Sequence, residues 1–156
     1  MIDETQKVAG MGVPPPLLYG GTLGLGLLLH RFFPRSMLPR SVARVVGGAL
    51  VGLSFLFGPP ALLAMRRAGT ALSPDEPTTA IVDRGPFRYS RNPIYLSFTL
   101  LYAGIATFAN ALWALLFLPG VLVLIHRQVV DREEPYLERV FGAEYLRYRQ
   151  RVRRWM

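Results

Sequence analysis

Two short polar stretches carry most of the side chains of this 156-residue chain that could do chemistry. The first is Arg84-Gly85-Pro86-Phe87-Arg88-Tyr89-Ser90-Arg91-Asn92-Pro93-Ile94-Tyr95. Gly85-Pro86 marks a turn. Asn92 followed by Pro93 predicts a capped helix start, since the first helical position has no use for the N–H that proline lacks. Such a start exposes backbone donors and suits an anion such as a carboxylate; Arg91 stands next to it. The second stretch is His126-Arg127-Gln128-Val129-Val130-Asp131-Arg132-Glu133-Glu134. Carboxylates this close to an apolar run need a cationic partner. Arg127 or Arg132 would serve locally, at about 0.2–0.5 kcal/mol per helical pair; a bound cationic ligand would serve equally. Arginines and aromatics at such positions also fit a plain interfacial anchor.

Four apolar segments must position these stretches: 17–33, 45–65, 94–109 and 111–125. The first carries Gly20, Gly21, Gly24 and Gly26, small residues that let another helix approach closely in lipid. The second has Gly47, Gly48 and Gly52 near its start and Gly58-Pro59-Pro60 inside, where lost backbone donors predict a kink or break. The third and fourth are separated by Asn110 alone and contain no charged residue. At ~1.5 Å rise per residue each is about 23 Å long, short for a ~30 Å hydrocarbon core. They read as a tight hairpin turning at Asn110, with Pro119-Gly120 a candidate kink in the return. A hairpin brings the two polar stretches to the same end, which is what a site requires.

The expected fold is therefore all-α: one membrane domain of about four transmembrane helices plus a C-terminal amphipathic interfacial helix. Residues 1–66 hold two spans, and residues 67–156 hold the hairpin and tail. The 66–91 loop contains Pro74, Pro77 and Pro86, with Thr79-Ala80-Ile81-Val82 a candidate extended piece. In the 135–155 helix, Leu137, Phe141, Tyr145, Tyr148 and Val152 recur every three or four residues among arginines, and Gly142 is a candidate interruption.

Composition agrees. Hydrophobic residues make up 51% of the chain, and between Leu17 and Phe57 the only charged residues are Arg31, Arg35, Arg40 and Arg44. The net charge of +8 suits anionic headgroups, at roughly 1 kcal/mol per juxtamembrane basic residue, better than nucleic acid, which would not need apolar spans. Lys7, five arginines from Arg66 to Arg91 and eight from Arg127 onward lie on one side, against four on the other. The positive-inside rule then puts both termini in the cytoplasm, and a bacterial inner membrane is the expected location. Asp3 and Glu4 ahead of Lys7 argue against a signal peptide, so the first run is expected to be retained. There is no cysteine. His30 and His126 fall on opposite sides in this topology, so no metal is expected. Phosphate-loop, dinucleotide-binding and nucleophile-elbow signatures are missing.

Three motifs in order resemble the isoprenylcysteine carboxyl methyltransferase family and its bacterial relatives, the phospholipid N-methyltransferases, over about 79–155. They are Arg91-Asn92-Pro93-Ile94-Tyr95, Glu133-Glu134, and Phe141-Gly142-Ala143-Glu144-Tyr145-Leu146-Arg147-Tyr148. The resemblance implies S-adenosylmethionine as cofactor, held at the cytoplasmic mouth by Thr79, Ala80, Ile81, Val82, Phe87, Asn92, Pro93, Tyr95 and Glu133. Aromatic faces and a carboxylate suit its cationic groups, and a helix start suits its carboxylate. Asn92 replaces the family's usual histidine, and Val129 stands where the eukaryotic enzymes place a substrate arginine; both changes point away from a prenylcysteine acceptor. The implied activity is methyl transfer to a lipid-like or small hydrophobic acceptor bearing a carboxylate, amine or thiol. Arg91 and Arg127 are candidates for an anionic acceptor, and Glu134 is the candidate base for an amine. The competing readings are an NADPH-dependent membrane reductase of the sterol-reductase type and a non-catalytic membrane scaffold.

Overall fold

The computed structural model describes residues 13–70 and 77–155. Asp3, Glu4, Lys7 and Pro74, used above for charge and loop readings, lie outside them. Within the described residues every regular element is helical. Helices α1 (Pro15–Phe32) and α2 (Arg40–Arg67) are followed by a 3-10 turn (Gly85–Arg88), α3 (Pro93–Phe108) and α4 (Leu112–Ile125). A π-helical turn (His126–Val130) leads into α5 (Asp131–Phe141), and α6 (Ala143–Arg151) follows. The 79–82 piece forms no strand.

Among the described residues, two helices are long and apolar enough to cross a membrane: α2, and the continuous helix Leu112–Phe141. α3 is apolar but only 16 residues long. The four-span expectation is thus met by length and apolarity for two helices. The fourth segment does not stop at Ile125, because the π turn passes the chain straight into α5. α2 runs unbroken through Pro59 and Pro60. Here α3 packs alongside: a Cβ on Gly58 would lie 2.5 Å from the Ser97 hydroxyl, and Ser97 donates to the Ser54 carbonyl at 2.9 Å. A neighbouring helix packs where the proline pair leaves backbone groups without partners, and the helix continues through it.

The hairpin turns where the sequence placed it. Asn110 has φ +54°, a conformation Asn tolerates better than bulkier residues. Its side chain also clamps the α1–α2 connection. Oδ1 accepts the N–H groups of Met37 (2.9 Å) and Leu38 (3.1 Å), and Nδ2 donates to the Leu38 carbonyl (2.6 Å). Trp113 adds an indole N–H bond to the Phe33 carbonyl at 2.8 Å.

Close approach is concentrated at a few small residues. Gly26 of α1 lies against Ala114 of α4, Gly47 of α2 against the Phe108 backbone, and Gly104 of α3 against Val51. Gly20, Gly21, Gly24, Gly48 and Gly52 face open space, so of the first segment's four glycines Gly26 carries the expected close approach. Between the helices, Tyr102 is 1% exposed and donates to the Ala114 carbonyl at 2.9 Å. The Tyr19 and Thr99 hydroxyls pair at 2.9 Å. These hydroxyls, brought into an apolar interior, each have a partner, as burial demands.

The tail is two helices rather than one. Gly142, at φ +49°, breaks the predicted 135–155 helix between α5 and α6. Tyr145 and Tyr148 of the aromatic stripe are buried, while Leu137, Phe141 and Val152 are partly covered. After α6 the backbone turns extended at Val152, and Trp155 reaches the central core.

Candidate active site

One end of the bundle gathers the start of α1, the end of α2, the start of α3 and both tail helices around a cavity of about 340 Å³. That volume lies at the lower end of small-molecule sites, which run from about 300 to 1,000 Å³. The opposite end is sealed by the Asn110 clamp. The two polar stretches meet here, as the hairpin required.

The central contact is between them. Tyr95, in the first turn of α3, donates its hydroxyl to Glu133 Oε1 at 2.8 Å. Glu133 belongs to α5, eight residues beyond the apolar α4 that ends at Ile125. Burial pushes its carboxyl up to about 7; the Tyr95 hydrogen bond pulls down, and the neighbouring Glu134 charge pushes up again. A buried acid poised near neutrality is a group whose ionisation a ligand can set.

Glu134 is engaged differently. Arg154 forks it, Nε to Oε1 at 2.8 Å and Nη2 to Oε2 at 2.7 Å, and Arg91 Nη1 approaches Oε1 at 3.0 Å. Arg91 also donates to the Tyr145 hydroxyl at 3.2 Å. Burial raises the pKa of both tail tyrosines, Tyr145 and Tyr148, so they remain neutral. Tyr148 donates to the Phe87 carbonyl at 2.8 Å, tying α6 to the 3-10 turn.

Asn92 occupies the cap position of α3, with Pro93 at the first helical position, yet its side chain does not cap the helix. Nδ2 donates instead to the Arg154 carbonyl at 3.2 Å. The first N–H groups of α3 thus lack a side-chain cap, the arrangement that favours an incoming anion. This corrects the expected cap: the tail competes for the Asn92 amide.

The apolar wall comes from the 77–82 segment. Thr79 donates from its N–H to Thr70 Oγ1 at 3.2 Å and from its hydroxyl to the Gly69 carbonyl at 3.0 Å. Thr78 gives its N–H to the Tyr136 hydroxyl at 3.2 Å. These bonds set the segment down so that Ala80, Ile81 and Val82 face the cavity.

Of the predicted site residues, Ala80, Ile81, Val82, Phe87, Arg91, Asn92, Pro93, Tyr95, Glu133 and Glu134 all line this cavity. Thr79 and Arg127 do not. Thr79 is exposed and braces the loop, while Arg127 is exposed on the π turn. Sequence reasoning missed Pro15 and Pro16 of α1, Leu62 and Met65 of α2, and Phe98 of α3, which form an apolar side of the cavity. Their only signal was membership of apolar runs that converge at one end. It also missed Arg154, which resembles any other basic residue of the tail.

Apolar helices converging on a partly open cavity with a buried acid make a small helical protein, with helices suited to a membrane and a candidate ligand site. The phospholipid methyltransferase family matches residues 42–144, and the chain belongs to that family of membrane methyltransferases. The match begins within α2 and so reaches further toward the N-terminus than the motifs did. An uncharacterized protein of Haemophilus influenzae is similar at 51% identity over 35 residues, 22% of this chain and 56% of that protein. The chain thus spans a little over half the length of that curated relative.

Proposed function

We propose that the chain is an S-adenosylmethionine-dependent methyltransferase acting on a lipid-like or small hydrophobic acceptor. One observation carries this: the Glu133–Tyr95 pair, 2.8 Å apart, in a cavity walled for the most part by apolar and aromatic side chains. The residues fit the donor chemically. Glu133 offers a carboxylate to its ammonium or sulfonium. The uncapped start of α3 offers N–H groups to its carboxylate. Phe87 and the Ala80–Ile81–Val82 wall suit an adenosine.

When bound, S-adenosylmethionine supplies an electrophilic methyl; the new bond forms to the acceptor while the carbon–sulfur bond breaks toward sulfur. The protein's share is then alignment and exclusion of water. Tyr95 fixes the Glu133 carboxylate, and Arg91 and Arg154 hold Glu134 aside. Both Glu134 oxygens are occupied by guanidinium groups, so we propose that it shapes the site rather than removing a substrate proton. Pro15, Pro16, Leu62, Met65 and Phe98 give the acceptor's alkyl part an apolar route from the lipid. Placement in a bacterial inner membrane belongs to the same proposal, as does the cytoplasmic side for this end of the bundle and both termini, which rests on the arginine distribution.

Titration of detergent-purified protein with S-adenosylhomocysteine and with NADPH tests the reading. We expect binding of the former, weakened by about tenfold or more in Glu133→Ala, since a charged hydrogen-bonding group contributes about 1.5–3 kcal/mol. Binding of NADPH in its place would replace this reading with the reductase, and binding of neither would leave a scaffold. Labelled donor with total membrane lipid and small-thiol extracts would then identify the acceptor.

A further inference from the structure

The last few residues described run back beside the cavity and touch both polar stretches of the site. The Arg153 carbonyl accepts the Arg91 N–H at 3.0 Å. The Arg154 carbonyl accepts from the Ser90 hydroxyl at 3.1 Å and from Asn92 Nδ2 at 3.2 Å. Ser90, fully buried, also accepts the Asn92 N–H at 3.1 Å. Three consecutive residues leading into α3 are thus held by the tail backbone, while the Arg154 side chain crosses to α5. Besides forking Glu134, its Nη1 lies 3.5 Å from Asp131 and 3.2 Å from His126 Nε2. Arg154 lies beyond the residues matched to the family.

We propose that Arg154 is a positioning residue of the pocket: its guanidinium fork neutralises Glu134 and holds it against Arg91, so that of two adjacent carboxylates only Glu133 is presented to a bound cation. Two ionised carboxylates side by side at one site repel, and the cheaper outcome is for one to take a proton. The charged and titratable groups on the elements packed around Glu133 include Tyr95 from α3, Arg91 from the preceding loop, Tyr145 and Tyr148 from α6, Asp131, Arg132, Glu134 and Tyr136 from its own helix, His126 from the π turn, and Arg154 from the tail. Arg91 and Arg154 are the cations paired with Glu134, and Arg154 also reaches Asp131. Removing one leaves Glu134 less compensated, and Glu133 then ionises less readily.

The cation in this proposal is the methyl donor proposed above, but the test has a readout that needs no ligand. The carbonyl stretch of protonated Glu133 is followed by infrared pH titration of the full chain in detergent, with the band assigned by its loss in E133Q. In R154A the midpoint should move up by roughly one pH unit, the scale on which a nearby compensating charge acts. R154K keeps the positive charge and should return the midpoint to near the native value. S-adenosylhomocysteine affinity should fall about fivefold to tenfold at pH 7 in R154A and recover to within about twofold of native at pH 9. An unmoved midpoint in R154A overturns the proposal, as does a midpoint that R154K fails to restore, since the tail would then be a structural brace only. If the midpoint shifts as expected but native protein binds no S-adenosylhomocysteine, Arg154 keeps its role and the donor assignment falls.

Discussion

If a cationic ligand is held by ionised Glu133, its affinity must follow the ionisation of that carboxyl. With the midpoint at about 7, the ionised fraction rises from about 3% at pH 5.5 to about 97% at pH 8.5, so affinity should strengthen about 30-fold over that window. The ligand-free protein should show the opposite trend. A carboxyl whose folded value lies above its ordinary 4.5 stabilises the fold most below 4.5, and that contribution is lost as pH rises through about 7. Glu133→Gln is the perturbation to make, because the amide keeps the shape and an acceptor for the Tyr95 hydroxyl while removing the charge. The variant should bind at pH 8.5 at least about 30-fold more weakly than native protein, and its affinity should be nearly flat with pH. Calorimetric titration with S-adenosylmethionine at four or five pH values, in one detergent and one ionic strength, measures both curves. A flat native profile, or a slope that survives in Glu133→Gln, would refute the reasoning.

Other outcomes follow from contacts already described. Tyr95→Phe removes the hydroxyl that holds the Glu133 carboxyl down, so its ionisation midpoint should move up and donor affinity at pH 7 should fall about tenfold, read by the same titration. Asn110→Ala deletes three hydrogen bonds to the α1–α2 connection and should destabilise the protein by about 2–4 kcal/mol, seen as a lowered Tm. Gly47→Leu would drive a side chain into the Phe108 backbone and should abolish a monodisperse species in size-exclusion chromatography, whereas Gly20→Leu enters open space and should leave it intact. Arg127→Ala, exposed and away from the cavity, should keep donor affinity within about twofold, in line with other surface changes of ~0.5 kcal/mol or less.

The meeting of the two polar stretches was legible because it depends on coarse features. A charge-free hairpin has one place to turn, and Asn110 is the residue that tolerates the turn. The Gly142 break was legible for a similar reason, since glycine is the residue best suited to φ +49°. Helix ends were less so. The lost donors of Pro59-Pro60 predict a kink or break that neighbouring helices tolerate; α3 packs along that stretch and the helix continues. The π turn at 126–130 carries no composition signal, so α4 and α5 read as separate elements. Which of Thr78 and Thr79 faces the cavity depends on hydrogen bonds to Thr70, Gly69 and Tyr136, distant in sequence or irregular in spacing. Among eight basic residues from Arg127 onward, nothing local separates Arg154 from the rest; its role comes from where the chain returns.

Residues 112–141 form one uninterrupted rod, carrying Ala114 near one end and Glu133 toward the other. Ala114 is seated on Gly26, with no side-chain cushion between the backbones. Glu133 and its partner Tyr95 ride on different rods, so their bond gauges how far one has slid past the other. A slip of a single residue is ~1.5 Å along the axis, enough to break a contact of 2.8 Å. Bilayer thickness and helix tilt act on such rods directly, and the lipid surroundings are thereby wired into the pocket's chemistry.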